Sequence, residues 1–177
     1  MAAQQQSKWE GKAFANLKGP KAEQVWPLFE DFFNFHNWLP TIDTCYQLNN
    51  EKDGLIRCCA NTVPPSSDGS EAIIKWCHER LLYVDKIERC LSYEALNNNM
   101  GIRSYVATFK ILSSDGGDES GCKIEWSFVA DPVDGLTLEC FLGYVDFSLQ
   151  GMAEKIEKAL ESSLGDFAQR ANTKPVK

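Results

Sequence analysis

Apolar and polar positions alternate loosely from Lys8 to Leu17, which predicts a first strand. Gly19–Pro20 then breaks the chain and supplies a residue preset for a helix start. From Ala22 to Phe33 the apolar residues Val25, Trp26, Leu28, Phe29, Phe32 and Phe33 recur at three- and four-residue spacing, predicting an amphipathic helix. Pro27 inside it removes a backbone donor and predicts a kink or a shifted start. A second short helical turn is expected over Asn34–Leu39, closed by Pro40. The middle of the chain reads as a β meander: Thr44–Leu48, Gly54–Ala60, Ala72–Arg80, Lys86–Leu96, Ile102–Leu112 and Cys122–Ala130. Turn-forming residues separate these runs at Asn49–Asn50, Pro64–Gly69, Asn97–Asn99 and Ser113–Gly117. One long helical pattern then fills Leu136 to Ala171, with Phe141, Val145, Met152, Ile156, Ala159, Leu160 and Phe167 on a stripe. Gly143, Gly151 and Gly165 weaken it locally, and Glu154, Lys155, Glu157, Lys158 and Glu161 form a solvated face.

Strand, helix pair, run of strands, long helix: that order is α+β, with helices segregated from an antiparallel sheet. A long amphipathic helix against a strongly bent sheet leaves room for a hollow, and ligand pockets favour such places. The 177 residues fit one domain, expected over 8–172 between a polar lead at 1–7 and a tail at 173–177. No apolar run approaches the length of a membrane span, and the Gln-rich lead lacks a signal-peptide core, so no integral membrane association is expected. A net charge of -7 argues against a nucleic-acid partner. The seven cysteines (45, 58, 59, 77, 90, 122 and 140) contain no C-x-x-C pair, and only His36 and His78 could join them. No metal site is expected from that spacing. Most of the cysteines read as reduced thiols packed as small hydrophobes, as in a cytoplasmic protein. Phosphate-loop, dinucleotide and nucleophile-elbow motifs are absent, and the acidic run Asp115–Glu119 reads as a solvated hairpin turn.

Strand parity sorts the candidates for the hollow. Ile124, Trp126, Phe128 and Ala130 share one face of their strand; Tyr105, Ala107, Phe109 and Ile111 share one face of theirs. Tyr93 lies with Leu91 and Ala95. Tyr93, Tyr105 and Trp126 therefore look inward together, either as pocket groups or as an aromatic core with each polar tip satisfied. Arg57 sits between apolar neighbours, and Glu79 stands near the end of the next predicted strand. Antiparallel neighbours bring such a pair together, as a buried compensated pair or as a rim salt bridge. Turning Glu79 inward carries Lys75 with it unless a bulge intervenes.

KWEGKAFANL, AEQVWPLFEDFFNFHNWLP, GLIRCC, WCHERLLYVD, SYVATFKI, KIEWSF and GMAEKIE resemble, in order and spacing, the Bet v 1 and START-like superfamily. The resemblance is greatest to its plant polyketide cyclase/dehydrase-like branch and, within that, to the lachrymatory factor synthases. It implies a helix-grip fold: a curved antiparallel sheet of about seven strands wrapped on the long C-terminal helix, with two short helices and an apolar cavity. It also implies Arg57 and Glu79 as catalytic residues and Tyr93, Tyr105 and Trp126 as pocket residues. Phe109, Phe128 and Met152 complete the expected ligand-binding set. The implied chemistry is cofactor-free acid–base rearrangement of a small sulfenic acid; the alternative is a carrier or receptor for a small hydrophobic ligand. No protein partner follows from it. Ser148 stands where a second pocket tryptophan is expected, Lys75 where an aromatic is, and the polar stretch Pro64–Ser70 falls at an expected mouth loop.

Overall fold

Small residues on the inner face of the first strand let the long helix approach closely. In β1 (Trp9–Lys18) the inward positions are Gly11, Ala13, Ala15 and Leu17, and their neighbours are exposed. The computed structural model describes residues 7–48, 52–114 and 121–172. The lead at 1–6, the Asn49–Asn50 separator, the Asp115–Glu119 turn, the tail at 173–177 and the Phe167 side chain lie outside what it describes. β1 is followed by α1 (Ala22–Glu30) and a 3₁₀ helix (Phe32–Asn37). The strands β2 (Thr44–Leu48), β3 (Ile56–Val63), β4 (Ile73–Asp85), β5 (Cys90–Asn98), β6 (Val106–Ser113) and β7 (Gly121–Ala130) come next. The last element is α2 (Leu138–Asn172). All seven strands form one antiparallel sheet in the order β1-β7-β6-β5-β4-β3-β2. It is a helix-grip, Bet v 1-like fold, with the core between the sheet, α2, α1 and the 3₁₀ helix.

Several boundaries differ from the periodicity, each for a local reason. α1 starts at Ala22 and runs through Pro27, so the proline does not shift the start; the Asp31 N–H caps the helix on the Pro27 carbonyl. The apolar pattern continues past Glu30, but the chain tightens there into the 3₁₀ turn that turns Phe32 and Phe35 into the core. β4 extends beyond Arg80 to Asp85, where the Asp85 carboxylate accepts hydrogen bonds from the Ile87 and Glu88 amides. Arg89 adopts a left-handed φ of 50° and closes the hairpin, so β5 begins at Cys90 and not at Lys86. The pairing of β4 with β5 shifts between Cys77 and Glu79 and again between Leu81 and Tyr83, the bulges that bend the sheet around α2.

α2 buries Phe141, Val145, Leu149, Met152 and Ile156 against the sheet. A Cβ on Gly11 would lie 2.4 Å from Leu142 Cδ2 and 2.6 Å from Phe128 Cζ. Leu142 can yield, whereas Phe128 is held in the core. Gly11→Val is therefore expected to cost about 1–3 kcal/mol through overpacking, read as a lower urea midpoint at unchanged slope. An unchanged midpoint would mean that α2 moves away freely.

Candidate functional site

β3 and β4 pair so that Arg57 faces Glu79 directly, as Cys59 faces Cys77 and Asn61 faces Lys75. This row of inward residues floors a cavity of about 610 Å³. Phe35, Leu39 and Ile42 close it on one side, and Phe141, Tyr144 and Val145 of α2 on the other. Tyr93, Tyr105 and Trp126 form its inner wall. Lys75 does accompany Glu79 inward, because the bulge falls in the pairing with β5 and leaves the β3–β4 register unbroken. Lys75 is exposed at the mouth with Ile73, Leu136 and Tyr144.

The guanidinium of Arg57 is buried and held by several partners. Its side chain is 2% exposed, with Nε and Nη2 each 2.7 Å from Glu79 Oε2. Nη1 donates to the Phe32 carbonyl at 2.8 Å. The rings of Phe32, Phe35 and Tyr93 stand 3.9, 4.5 and 5.0 Å from the guanidinium carbon. Burial opposes the charge, but the Glu79 carboxylate, with Cys59, Tyr93 and Cys45 behind it, outweighs that opposition and keeps the group firmly protonated. Glu79 itself retains 13% exposure. Both Arg57 bonds and the Cys59 thiol at 3.7 Å fall on Oε2. Oε1 has no hydrogen-bond partner among the described residues.

Above this pair runs a short polar chain. The Trp126 indole, which can only donate, gives its proton to the Tyr105 hydroxyl at 3.2 Å. Tyr93 stands beside Tyr105, with ring centroids 6.3 Å apart. With the indole donor on its oxygen, Tyr105 has its own proton to give to an acceptor. Burial pushes both phenols above their ordinary values, with Tyr105 and then Glu79 adding to the effect at Tyr93 and Glu79 adding to it at Tyr105. Both remain neutral hydroxyls at physiological pH.

Parity selected the right faces but not the depth. Phe109, Phe128 and Met152, expected against the ligand, are buried in the core behind the wall and do not line the cavity. Ser148 is likewise buried off the wall, accepting a bond from Thr41 Oγ1 at 3.4 Å. The Pro64–Ser70 stretch folds on itself, with Asp68 bonded to the Ser66 hydroxyl and the Ser70 amide, and none of it lines the cavity. The mouth is shaped instead by Asn98 and Asn99. Asn98 Oδ1 accepts from the Met100 and Ile102 amides, each at 3.0 Å, and Asn99 bridges the Trp76 amide and the Ile74 carbonyl. Met100 and Ile102 are thereby set on the rim. The triple asparagine reads as a turn in the sequence; only the β4–β5 register reveals what it holds in place.

Residues 20–172 match the family described as polyketide cyclase/dehydrase and lipid transport. The chain belongs to that family. Among solved structures it is similar to the protein XoxI from Bacillus cereus, with a TM-score of 0.64 and 23% identity over 85% of this chain and 94% of that one. It is also similar to norcoclaurine synthase from Thalictrum flavum, solved with dopamine and hydroxybenzaldehyde, with a TM-score of 0.60 and 14% identity over 88% of each chain. At these identities the polyketide cyclase/dehydrase family member shares their fold. Hydrophobic ligand binding is what membership implies. Among the described residues no helix is long and apolar enough to cross a membrane, and no cluster of three or more His, Cys, Asp or Glu could hold a metal ion.

Proposed function

We propose that the cavity binds a small apolar ligand and that Glu79 moves a proton on it without a cofactor. The reaction we assign is that of a lachrymatory factor synthase: rearrangement of an alkenyl sulfenic acid to a sulfine. One observation carries this reading. Glu79 is anchored wholly through Oε2, which leaves Oε1 as an oriented, unpartnered base on the cavity wall. In the proposed cycle Oε1 takes the proton from the sulfenic oxygen and returns it to the far alkenyl carbon, so the net change is an isomerisation. Tyr105 donates to the sulfenyl oxygen as charge develops there, and Arg57 keeps the carboxylate fixed.

The carrier reading draws on a different observation. Cys59 and Cys77 stand on the same wall, and a sulfenic acid condenses with thiols. A cavity that only holds an apolar metabolite has no such conflict. One experiment separates the two readings. Wild type and Glu79→Gln are given an alkenyl sulfenic acid generated in situ, and the sulfine is measured alongside binding of an apolar fluorophore. The synthase reading expects product from wild type and a loss of about 100-fold or more in Glu79→Gln, with fluorophore binding kept. Background-level product from both proteins, with saturable fluorophore binding, establishes the carrier.

A further inference from the structure

Three thiols lie in a row across adjacent strands, Cys45 opposite Cys59 and Cys59 opposite Cys77. The two pairings are not equivalent. Cys59 Sγ is 3.6 Å from Cys45 Sγ, whereas Cys77 turns its thiol to the His78 carbonyl at 3.5 Å. Residues directly opposite in an antiparallel pair have Cα atoms about 4.5 or 5.5 Å apart, a span a disulfide can bridge. Cys59 is on the cavity wall and Cys45 stands behind it, its thiol 3.8 Å from the Phe32 carbonyl. The Cys59 thiol donating to Cys45, assisted by the Arg57 charge and opposed by burial, lowers Cys45 to about 7. The same bond and burial push Cys59 up. The shared hydrogen bond thus favours the thiolate at Cys45 over Cys59.

We propose that Cys45 and Cys59 form an oxidation site served by the cavity, closed to a cross-strand disulfide by an apolar hydroperoxide that enters it. Cys59, which faces the cavity, passes its proton to Cys45 along their hydrogen bond and attacks the terminal oxygen of the hydroperoxide; the O–O bond breaks, and the remaining alkoxide takes a proton from water and leaves as an alcohol. The sulfenic acid so formed condenses with the second thiol, making the S–S bond and releasing water. Two thiols lose two electrons and two protons in all, and the hydroperoxide ends as alcohol and water. Closure also consumes the one hydrogen that Cys59 can direct to either Cys45 or Glu79 Oε2, so the oxidised cavity offers Glu79 a different surrounding.

The proposal does not depend on sulfenic-acid turnover, so it stands or falls apart from the reaction assigned to Glu79. The full chain is treated with one equivalent of cumene hydroperoxide, and the product is read by intact mass, by thiol counting after denaturation and by fragmentation of cross-linked peptides. The expected product has lost two hydrogens and two thiols, carries a Cys45–Cys59 link, and returns to the starting mass on phosphine treatment. Cys77→Ser gives the same link and Cys45→Ser gives none. An anilinonaphthalene sulfonate occupant at about ten times its Kd leaves roughly a tenth of the cavities empty and slows the reaction about tenfold. A Cys59–Cys77 link, oxidation without any cross-link, or a rate indifferent to the occupant overturns the proposal. The wild-type readout needs no variant to fold.

Discussion

Arg57→Met is expected to lower the unfolding free energy by about 3–5 kcal/mol, the usual cost of removing one partner from a buried ion pair. The methionine keeps an apolar stem among Phe32, Phe35 and Tyr93 but supplies none of the donors. Two acceptors then lose their strong donors and keep only weak thiol contacts: Glu79 Oε2 and the Phe32 carbonyl. The second matters for the fold, because that bond ties the 3₁₀ helix to β3. The remaining exposure of Glu79 lets water or a proton reach the carboxylate, which places the loss toward the lower end of the range. Adding Glu79→Gln to Arg57→Met should recover part of it, since the orphaned charge is gone. Urea unfolding of the two single variants and the double variant closes a cycle whose coupling isolates the pair. A cost below about 1 kcal/mol for Arg57→Met would show that the pair behaves as an exposed salt bridge, contrary to its burial.

The legible part of the fold is the part governed by local period. The bounds of β2 are legible because Thr44–Leu48 follows the Pro40 break and precedes an asparagine pair, and the stripe Phe141, Val145, Met152 and Ile156 marks the buried side of α2. Parity alone turned Tyr93, Tyr105 and Trp126 to the same side of the sheet. What it could not supply was distance along the inward direction. Phe109 of β6 and Tyr105, which immediately precedes that strand, point the same way, yet Phe109 lies under α1 and the 3₁₀ helix while Tyr105 reaches the cavity. The hairpin at Asp85–Cys90 was hidden because Lys86–Arg89 continues a tolerable strand pattern; a carboxylate cap and one left-handed residue end it. The contact of Cys45 with Cys59 was beyond local reading altogether. Both looked like small packing residues until the β2–β3 register set them face to face.

That register also bears on how the site is built. Arg57 and Cys59 are alternate residues on β3, and Cys77 and Glu79 are alternate residues on β4. The ion pair and the thiols are therefore two rungs of one ladder, and no substitution at one rung leaves the other electrostatically untouched. Cys59 illustrates this, reaching Cys45 on one side and Glu79 on the other. The chain's charge of -7 does not extend into the cavity, where Arg57 and Glu79 offset each other and Lys75 adds a cation at the mouth.

Phe109→Ala is the second large effect expected, a loss of about 3–5 kcal/mol. Phe109 is fully buried, with ring centroids of Phe29, Phe35, Tyr93 and Trp126 at 5.2, 5.4, 6.3 and 4.7 Å. It joins the helical cover to the sheet, and two of its neighbours, Phe35 and Tyr93, also pack on Arg57. Truncation removes transfer energy and leaves a void that the surrounding β-sheet cannot collapse to fill. Phe35, Tyr93 and Trp126 border both that void and the cavity, so losing the ring that backs them should let the void open toward the ligand space and accept a small apolar guest. Indole or benzene binding the folded state alone would then raise the midpoint of the variant with concentration, and leave wild type much less affected. A loss under about 1.5 kcal/mol, with no response to the guest, would mean that the helices close over the gap and that the packing behind the site is softer than the density of protein interiors implies.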